Sequence, residues 1–351
     1  MRRIRRWALS TTTMTVAALA LTAGPALACG GLVGANGTIE LGRTTTLAAY
    51  TNGAQRYVTA FEFSGEGEEV GSIIPLPDVP TDVTRAGDWT LQRLVLEVDP
   101  PEVVAFEATA EAGAADADVE VLLETEVDAL DLTVLRGGAD EVGRWAVDNG
   151  FFLTPDAPEV LDFYAERSEI FLAAKFDASR AADLLQGSGD STPIMLTIPT
   201  DQPWVPLRIL SLGLDDSTVV EADVFLLTDD KPQLLAGGNG LALERSAWAP
   251  DGLLDDLRSD IGMAWLPQRM WLTYLPLSVP ADELTYDLAI STDPGAHPSL
   301  DDVGIELASA AVTLQAPLTL RDWWPAAVAL GVGAGVWLLA GAIRRLPEGP
   351  A

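Results

Sequence analysis

The chain has 351 residues, 48% hydrophobic and 21% charged, which is enough apolar material for one large or two ordinary domains and excludes wholesale disorder. With 52 acidic against 21 basic residues the net charge is −31, which argues against nucleic-acid binding, because phosphates are neutralised by lysine and arginine. A single cysteine and a single histidine exclude an intrachain disulfide and a cysteine zinc site, and they weaken any serine–histidine–aspartate mechanism.

The first 28 residues have the layout of a secretory signal peptide. Four arginines precede a short apolar stretch, and Ala26 and Ala28 form the small-residue pattern that a signal peptidase cuts. We therefore expect cleavage between Ala28 and Cys29, with an uncleaved membrane anchor as the alternative. A lipidated Cys29 and a plain free Cys29 both stay open, because Ala26 and Leu27 invert the residue order that lipidation normally requires.

The segment 323–343 is predicted to be a transmembrane helix rather than a buried core helix. It holds 21 residues without a charge, and at 1.5 Å per residue it reaches about 31 Å, enough for the bilayer core. Trp323 and Trp324 stand where interfacial aromatic anchors belong, and Arg344 and Arg345 follow the positive-inside rule. The chain would thus be a single-pass cell-membrane protein with its large N-terminal part outside.

Gly331 and Gly335 lie four residues apart within this predicted helix. Such spacing lets two helices approach closely and is a weak indication of a dimer. The segment is so rich in glycine and alanine that chance produces the same spacing, and this alternative stays open.

The rest of the chain is predicted to form short secondary-structure elements, which are mostly strands with a few short helices. Asn52-Gly53 is a turn signal between two β-branched or aromatic runs, and 119–176 reads strand, strand, helix, helix, strand. Strands are predicted at 44–50, 57–63, 69–75, 119–128, 131–135, 169–176, 193–199, 205–212, 219–228, 270–275, 284–291 and 311–314. Helices are predicted at 88–98 behind a capping Asp88, at 139–149, from Asp156 to 164, and near 251–261.

These elements give a domain scheme and a fold class. The scheme is a signal peptide at 1–28, a β-rich part at 29–108, an acidic linker at 109–118, an α+β part at 119–231, a β-rich membrane-proximal part at 232–322, the helix at 323–343 and a cytoplasmic tail at 344–351. The fold class is α+β, a strand-dominated extracytoplasmic region with few short helices, plus one C-terminal transmembrane helix.

Acidic residues dominate the exterior segment, which keeps 15 basic and 51 acidic residues once the charged residues of both ends are set aside, a net charge of −36. In the strand 119–128 carboxylates alternate with apolar side chains, which is typical of a solvent-facing acidic surface rather than a metal site. Solubility is the favoured explanation of the charge, and divalent-cation binding or a cationic partner is the alternative.

One strand–gap–strand–loop pattern occurs twice. Val58–Phe63 and then 73–75 precede a proline-rich loop, and 170–176 and then 196–199 precede another. A duplicated unit and two independent edge loops both explain this pattern.

The sequence contains few candidate catalytic groups. Aspartate pairs at 215–216, 229–230, 255–256 and 301–302 fit turns and caps better than acid–base work, and His297 lies in a proline–glycine loop. A nucleophile elbow and a phosphate-binding lysine loop are both absent from the sequence. Trp204, Trp265 and Trp271 are interpreted as buried anchors, with a binding groove as the alternative.

Several segments together resemble one bacterial family. They are Ala28-Cys29-Gly30-Gly31, the IIPLP run at 73–77, the run 130–177 (LDLTVL, Trp145, Asn149-Gly150, Tyr164 and EIFLAAKF), PIMLTIP and Pro206-Leu207-Arg208. The chain resembles domain of unknown function 2330 from about Cys29 to Asp230. The resemblance implies an exported, often membrane-anchored bacterial ectodomain without an established activity. Members commonly carry a second cysteine near the position of Gly34, which this sequence lacks.

The sequence thus predicts a membrane-anchored surface ectodomain with a non-catalytic interaction or envelope-structural role. No catalytic, cofactor-binding or metal-binding residue is assigned, no cofactor is expected, and the partners are the membrane and an unidentified protein or envelope component. The alternative function is a carboxylate-dependent extracytoplasmic hydrolase, which would show two carboxylates converging in one pocket.

Overall fold

Fifteen strands and five α-helices lie within the residues that the computed structural model describes, which are 31–34, 43–62, 70–98, 120–184, 186, 191–293 and 295–305. The strands are β1 Gly31–Gly34, β2 Thr44–Thr51, β3 Ala54–Glu62, β4 Val70–Pro75, β5 Asp82–Arg85, β6 Glu120–Val127, β7 Leu130–Arg136, β8 Ile170–Phe176, β9 Ser191–Pro199, β10 Trp204–Val205, β11 Val219–Thr228, β12 Gln233–Ala236, β13 Arg245–Trp248, β14 Trp271–Pro280 and β15 Leu288–Ser291. The helices are α1 Thr90–Val98, α2 Ala139–Asp148, α3 Ala157–Ala165, α4 Ala178–Asp183 and α5 Asp251–Ser259.

The strands form three sheets. Seven strands lie in the order β13-β14-β11-β2-β3-β9-β5, five in the order β1-β4-β8-β7-β6, and three in the order β10-β15-β12. Neighbouring strands are antiparallel except for β2 and β11, which run parallel. Strands from all three predicted parts of the exterior segment share the seven-stranded sheet, and the boundaries of those parts stay a prediction.

The β2–β3 hairpin shows how the sequence specifies the sheet locally. Asn52 and Gly53 both have positive φ, 55° and 72°, as a two-residue hairpin turn with the twist of the flanking strands requires. Pairing then runs from Thr51 opposite Ala54 to Thr46 opposite Thr59, so the predicted turn and both strands are confirmed.

The main core lies between the inner faces of the sheets. Along β11 and β8, alternate residues enter this core while the residues between them face outward, the period-two pattern of a strand. The inward residues of these two strands are Val220, Ala222, Val224, Leu226, Ile170, Leu172, Ala174 and Phe176.

Helices cover the outer faces of both large sheets. α1 and α5 pack on the seven-stranded sheet, with Leu94 and Leu254 fully buried among its outward residues. α2 and α3 pack on the five-stranded sheet, where Trp145 and Tyr164 meet the outward residue Phe171. The described chain is therefore a strand-dominated α+β structure with few short helices, which confirms this part of the predicted fold class. Its layers are helices, sheet, sheet and helices.

The predicted strand at 205–212 is wrong. β10 ends at Val205, and Arg208–Ser211 forms a 3-10 turn. The backbone amides of Leu207 and Arg208 donate to the carboxylate of the buried Asp287 at 2.7 and 3.1 Å instead of joining a strand ladder. A side chain 80 residues away thus overrides the β-propensity of this apolar run.

The N-terminus of α1 is capped from a distant part of the chain. The backbone amides of Asp88 and Trp89 donate to the carboxylate of Asp260 at 3.1 and 3.0 Å, and the Thr90 hydroxyl donates to it at 2.8 Å. Asp260 therefore accepts from the two amides that lead into α1 and from the hydroxyl of its first residue. The predicted cap, Asp88, instead forms an exposed ion pair with Arg85.

The two copies of the strand–gap–strand–loop pattern exchange strands between the sheets. The antiparallel pair β2–β3 is followed by β4, which crosses to pair with β8, and the antiparallel pair β7–β8 is followed by β9, which crosses to pair with β3. This exchange is what a two-fold relation between β2–β4 and β7–β9 produces. A duplication stays a prediction.

Several predicted features lie outside the described residues. They are the signal peptide 1–28 with the cleavage site Ala28–Cys29, the linker 109–118, the strand 311–314, the transmembrane helix 323–343 with Gly331 and Gly335, its anchors Trp323, Trp324, Arg344 and Arg345, and the tail 344–351. Among the helices that the structure does describe, none has the length and apolar composition needed to span a bilayer.

Candidate functional site

Lys175 lies inside an otherwise apolar buried strand. Every residue of β8 is buried, and Lys175 itself is 6% exposed. Its side chain shares the outward face with Phe171 and Ala173, which α2 and α3 cover. Lysine is rarely buried, because desolvation of the ammonium group is costly unless specific partners compensate for it.

The C-terminal end of α2 supplies such a partner. The Lys175 ammonium donates to the backbone carbonyl of Asn149 at 3.3 Å and lies 5.8 Å from the centroid of the Phe151 ring. Asn149 is the C-cap of α2, and its amide side chain donates to the Trp145 carbonyl at 2.9 Å. A helix C-terminus stabilises a cation through its exposed carbonyls, so α2 is placed to stabilise this ammonium.

Gly71 makes room for the aromatic ring beside Lys175. It lies directly opposite Lys175 on β4, and a Cβ at this position would come within 2.5 Å of the Phe151 ring. The ring can therefore lie flat against the sheet only because position 71 has no side chain.

Charges of alternating sign lie in one row across the sheet beside Lys175. Asp131 is opposite Lys175 on β7, and Glu126 is opposite Asp131 on the edge strand β6. Arg180 of α4 joins the row, with N–O distances of 2.6 Å to Asp131 and 3.7 Å to Glu126. Asp131 is thus engaged by arginine, whereas Glu126 is 72% exposed and only loosely paired.

A cavity of about 570 Å³ opens over this row, within the size range of small-molecule sites. We call it the Lys175 cavity. Its lining residues are Glu124, Thr125, Glu126, Asp131, Leu132, Thr133, Trp145, Asn149, Lys175 and Arg180. Three carboxylates against two cations leave a formal charge of −1, and neither serine, cysteine nor histidine occurs in the lining. The lining therefore offers charged and polar groups that can bind polar ligands.

A second cavity, of about 470 Å³, contains two residues that the sequence analysis singled out, Trp204 and His297. We call it the Trp204 groove. The proline-rich loops of both copies of the strand–gap–strand–loop pattern line this groove, through Pro77 and Pro203. Trp204 is 7% exposed and stacks on Tyr164 with centroids 5.7 Å apart, so it is both a buried anchor and a groove residue. His297 is exposed on the rim.

Asp287 fixes the floor of the Trp204 groove. Its fully buried carboxylate accepts hydrogen bonds from the Tyr164 hydroxyl at 2.9 Å and from the amides of the 3-10 turn, and it forms an ion pair with Arg167. Burial, together with the nearby negative charge of Asp287, raises the pKa of Tyr164 well above its ordinary value. The Arg167 guanidinium carbon lies 4.8 Å from the Trp204 ring centroid, so the network also positions the tryptophan.

The paired aspartates are spread over turns and helix ends. Asp229 accepts from the Thr51 hydroxyl at 2.8 Å, Asp256 pairs with Arg93 at 2.8 Å, and Asp302 accepts from the Ser299 amide at 2.6 Å. In the part of the chain that the structure describes, no three histidine, cysteine, aspartate or glutamate residues are grouped so as to hold a metal ion. Each of these aspartates thus contacts a separate partner.

The three tryptophans do not form one groove. Trp265 is partly buried and packs against the core under α1 and α5, with Arg56 4.5 Å from its ring centroid. Trp271 lies edge-to-face with Trp248 at 5.2 Å and donates to the Ser246 hydroxyl. Only Trp204 of the three lines either of the two cavities described above.

Sequence reasoning missed Lys175, although its signal was present. A single lysine within the run IFLAAKF interrupts a strand that is otherwise entirely apolar, and only two lysines occur in the whole chain. A charge at such a position predicts either an ion pair or a binding group. The lining partners, which come from β6, β7 and α2, could not be inferred without the sheet order.

The family model for uncharacterized proteins conserved in bacteria, domain of unknown function 2330, matches residues 23–228. The chain belongs to this family. All residues that line the Lys175 cavity fall within the matched part, whereas more than half of the residues that line the Trp204 groove lie beyond 228. Among curated proteins, none matches this member of the family.

One solved structure resembles this family member in outline. It is a crystal structure of baculovirus P35, 9% identical in sequence, and the alignment covers 72% of this chain and 92% of that one. The TM-score is 0.35, so the likeness does not establish a shared fold.

Proposed function

We propose that the protein is an exported, membrane-anchored ectodomain that binds a small polar ligand in the Lys175 cavity and performs no catalysis. One observation carries the binding part of this proposal, the burial of Lys175 at 6% exposure in the wall of an open cavity. A lysine costs folding stability at such a position, and a methionine of similar length would fill the space without that cost. A bound ligand would add contacts to this ammonium group.

The architecture supports a fixed site. Lys175 is held on a central strand of the five-stranded sheet, and its carbonyl partner is held by the cap of α2. Sites on strands and helix ends keep their geometry before the ligand arrives, which lowers the entropic cost of binding.

Export and anchoring are supported by the two ends of the sequence. The arginine-rich apolar start with its Ala-x-Ala pattern, and the uncharged segment 323–343 between tryptophans and arginines, are the features that direct secretion and retention in a membrane. The ligand would then be encountered outside the cytoplasm.

The alternative, a carboxylate-dependent hydrolase, receives less support. It requires two carboxylates free to act as acid and base in one pocket. In the Lys175 cavity the carboxylate of Asp131 lies 2.6 Å from Arg180, and Glu126 extends into solvent. Charged partners thus keep Asp131 in a structural and binding role.

Protease treatment tests the topology. Added to intact cells, or to protoplasts where a wall intervenes, protease should digest residues 29–322 and spare only 323–351. Protection of the large segment in intact protoplasts, with digestion only after lysis, would show that the proposed orientation is wrong.

Thermal melting tests the binding role. The full-length protein in detergent is melted with and without the low-molecular-mass fraction of spent culture medium, beside the variants Lys175→Met and Glu120→Gln. Glu120 lies on the same edge strand but outside the cavity lining, so Glu120→Gln is the matched control. We expect the medium fraction to stabilise wild type and Glu120→Gln and to leave Lys175→Met unchanged. Equal shifts in all three proteins, or none in any, would contradict the proposal.

A further inference from the structure

The Trp204 groove has an apolar floor that the protein holds in place. Its buried lining residues are Pro203, Trp204, Ala289 and Ile290. The Trp204 amide donates to the Gln55 side chain at 3.2 Å, and the Gln55 amide group donates back to the Trp204 carbonyl at 2.9 Å. The Ile290 amide donates to the Pro203 carbonyl at 3.0 Å, beside the pairing of β10 with β15. An apolar group that enters the groove therefore meets a surface that is already ordered.

The rim of the Trp204 groove is acidic. Asp201 of the β9–β10 loop and Asp301 of the segment after β15 are both exposed, and neither forms an ion pair within the residues that the structure describes. Asp302 also lines the groove, where its carboxylate accepts from the Ser299 amide and hydroxyl at 2.6 and 2.8 Å. Three carboxylates of the lining thus have no cationic partner in the described part of the chain.

Arg167 also lines the groove, but the protein itself neutralises its charge. The guanidinium forms an ion pair with Asp287, whose side chain is fully buried, and it donates to the Asp302 carbonyl at 3.0 Å. This arginine therefore ties the acidic rim to the buried network under the floor. A ligand meets net negative charge at the rim, over apolar walls that strengthen the local field.

From this arrangement we infer that the Trp204 groove binds a small organic cation, an ammonium group carried on an apolar body. The apolar body lies on the floor, and the ammonium group pairs with Asp201 and Asp301 at the rim. The volume of about 470 Å³ suits one small molecule. This site goes beyond the proposed function, because the groove and the Lys175 cavity share no lining residue.

Other ligand classes fit this groove less well. An anion would approach three carboxylates while Arg167 is already paired. A neutral apolar molecule would displace water from the rim carboxylates without replacing its hydrogen bonds. A sugar stacks on an open aromatic face, whereas Trp204 is 7% exposed and stacks on Tyr164. A divalent metal ion needs several grouped oxygen ligands, and the described residues contain no group of three suitable side chains.

Calorimetric titration of the full-length protein in detergent tests the inference with 2-phenylethylamine as the probe. Two analogues accompany it: 2-phenylethanol, which has the same apolar body without the charge, and phenylacetate, which carries the opposite charge. We expect the amine to bind, the alcohol to bind about fivefold more weakly, and phenylacetate to bind at least about tenfold more weakly. Added NaCl should weaken the binding of the amine and leave that of the alcohol unchanged.

The double variant Asp201→Asn/Asp301→Asn tests where the ammonium group lies. Both positions are exposed, so we expect the variant to fold, and it should bind the amine and the alcohol with equal affinity. Asp82→Asn is the matched control, because Asp82 is also exposed and without an ion pair in the described chain, but lies outside the groove lining. Asp82→Asn and Lys175→Met should both bind the amine as wild type does.

Three results would overturn the inference. The first is that wild type binds the amine no more tightly than the alcohol, or does not bind the amine at all. The second is that the double variant keeps the wild-type preference for the amine. The third is a loss of amine binding in Lys175→Met, which would place the amine in the Lys175 cavity instead of the Trp204 groove.

Discussion

The ammonium group of Lys175 donates a hydrogen bond to the backbone carbonyl of Asn149 at 3.3 Å, which joins the centre of the five-stranded sheet to the C-terminal end of α2. The contact uses a carbonyl that the helix leaves unpaired at its end, and the exposed carbonyls of a helix C-terminus stabilise a cation there. The ammonium group belongs to a buried residue that also lines the Lys175 cavity.

Asp287→Asn should destabilise the protein by about 3 kcal/mol, because it removes the buried charge that pairs with Arg167 and accepts from Tyr164. Chemical denaturation followed by circular dichroism measures the change. Asp301→Asn, an exposed position on the same groove, is the control and should stay within about 0.5 kcal/mol of wild type. Equal stabilities for the two variants would show that the buried network contributes little.

Stability should fall steeply as the pH rises above 10. Burial raises the pKa of Tyr286 to about 12 and that of Tyr164 well above 10, whereas the unfolded chain deprotonates near 10. Both folded-state values are raised, so their stabilising contribution is complete below pH 10 and is lost as the pH rises through them. Melting temperatures measured from pH 8 to 12 test this prediction. A flat profile over that range would contradict the burial of these phenols.

Asp260→Ala should destabilise the protein by about 2–4 kcal/mol, since the first turn of α1 loses its cap and three donors lose their acceptor. Asp88→Ala should cost less than about 1 kcal/mol, because its ion pair with Arg85 is exposed. Denaturant titration of both variants distinguishes the two roles. A larger loss of stability for Asp88→Ala than for Asp260→Ala would show that Asp88 is the cap of α1, as the sequence predicts.

Local sequence rules predict the structural features that depend on adjacent residues. Asn52-Gly53 specifies its hairpin, and Asn149-Gly150 ends α2 as predicted, with Gly150 at φ 86°, because turn and cap chemistry depend on adjacent residues. The cap of α1 and the end of β10 were mispredicted because both depend on carboxylates remote in sequence, Asp260 and Asp287.

The candidate site could not be predicted from the sequence, for a related reason. The carboxylates of β6 were predicted as a solvent-facing row, and Glu120, Glu124 and Glu126 are indeed exposed. Their proximity to Lys175 follows from the order β8-β7-β6, which joins strands more than 40 residues apart in sequence. Periodicity defines the face of a strand but not its neighbours.

Salt should raise the melting temperature, whereas calcium should add little at matched ionic strength. Residues 29–322, the predicted exterior segment, carry a net charge of −36, and ions screen the self-repulsion of these residues over a Debye length of about 8 Å at physiological strength. Successive acids on one face of β6 are about 6.6–7 Å apart, too far for a tight oxygen cage. Melting scans in NaCl and CaCl₂ check this, and a rise of several degrees with millimolar calcium would point to a specific site.

The unfolding free energy of unliganded Lys175→Met tests most directly whether Lys175 serves a ligand rather than the fold. Asp131 keeps its ion pair with Arg180 at 2.6 Å when the lysine is removed, so this carboxylate stays paired. We predict that Lys175→Met equals wild type or exceeds it by up to about 2 kcal/mol, as when a functional buried charge is replaced by an apolar side chain. A loss of about 3 kcal/mol or more would mean that Lys175 is a structural ion-pair partner and would contradict the account.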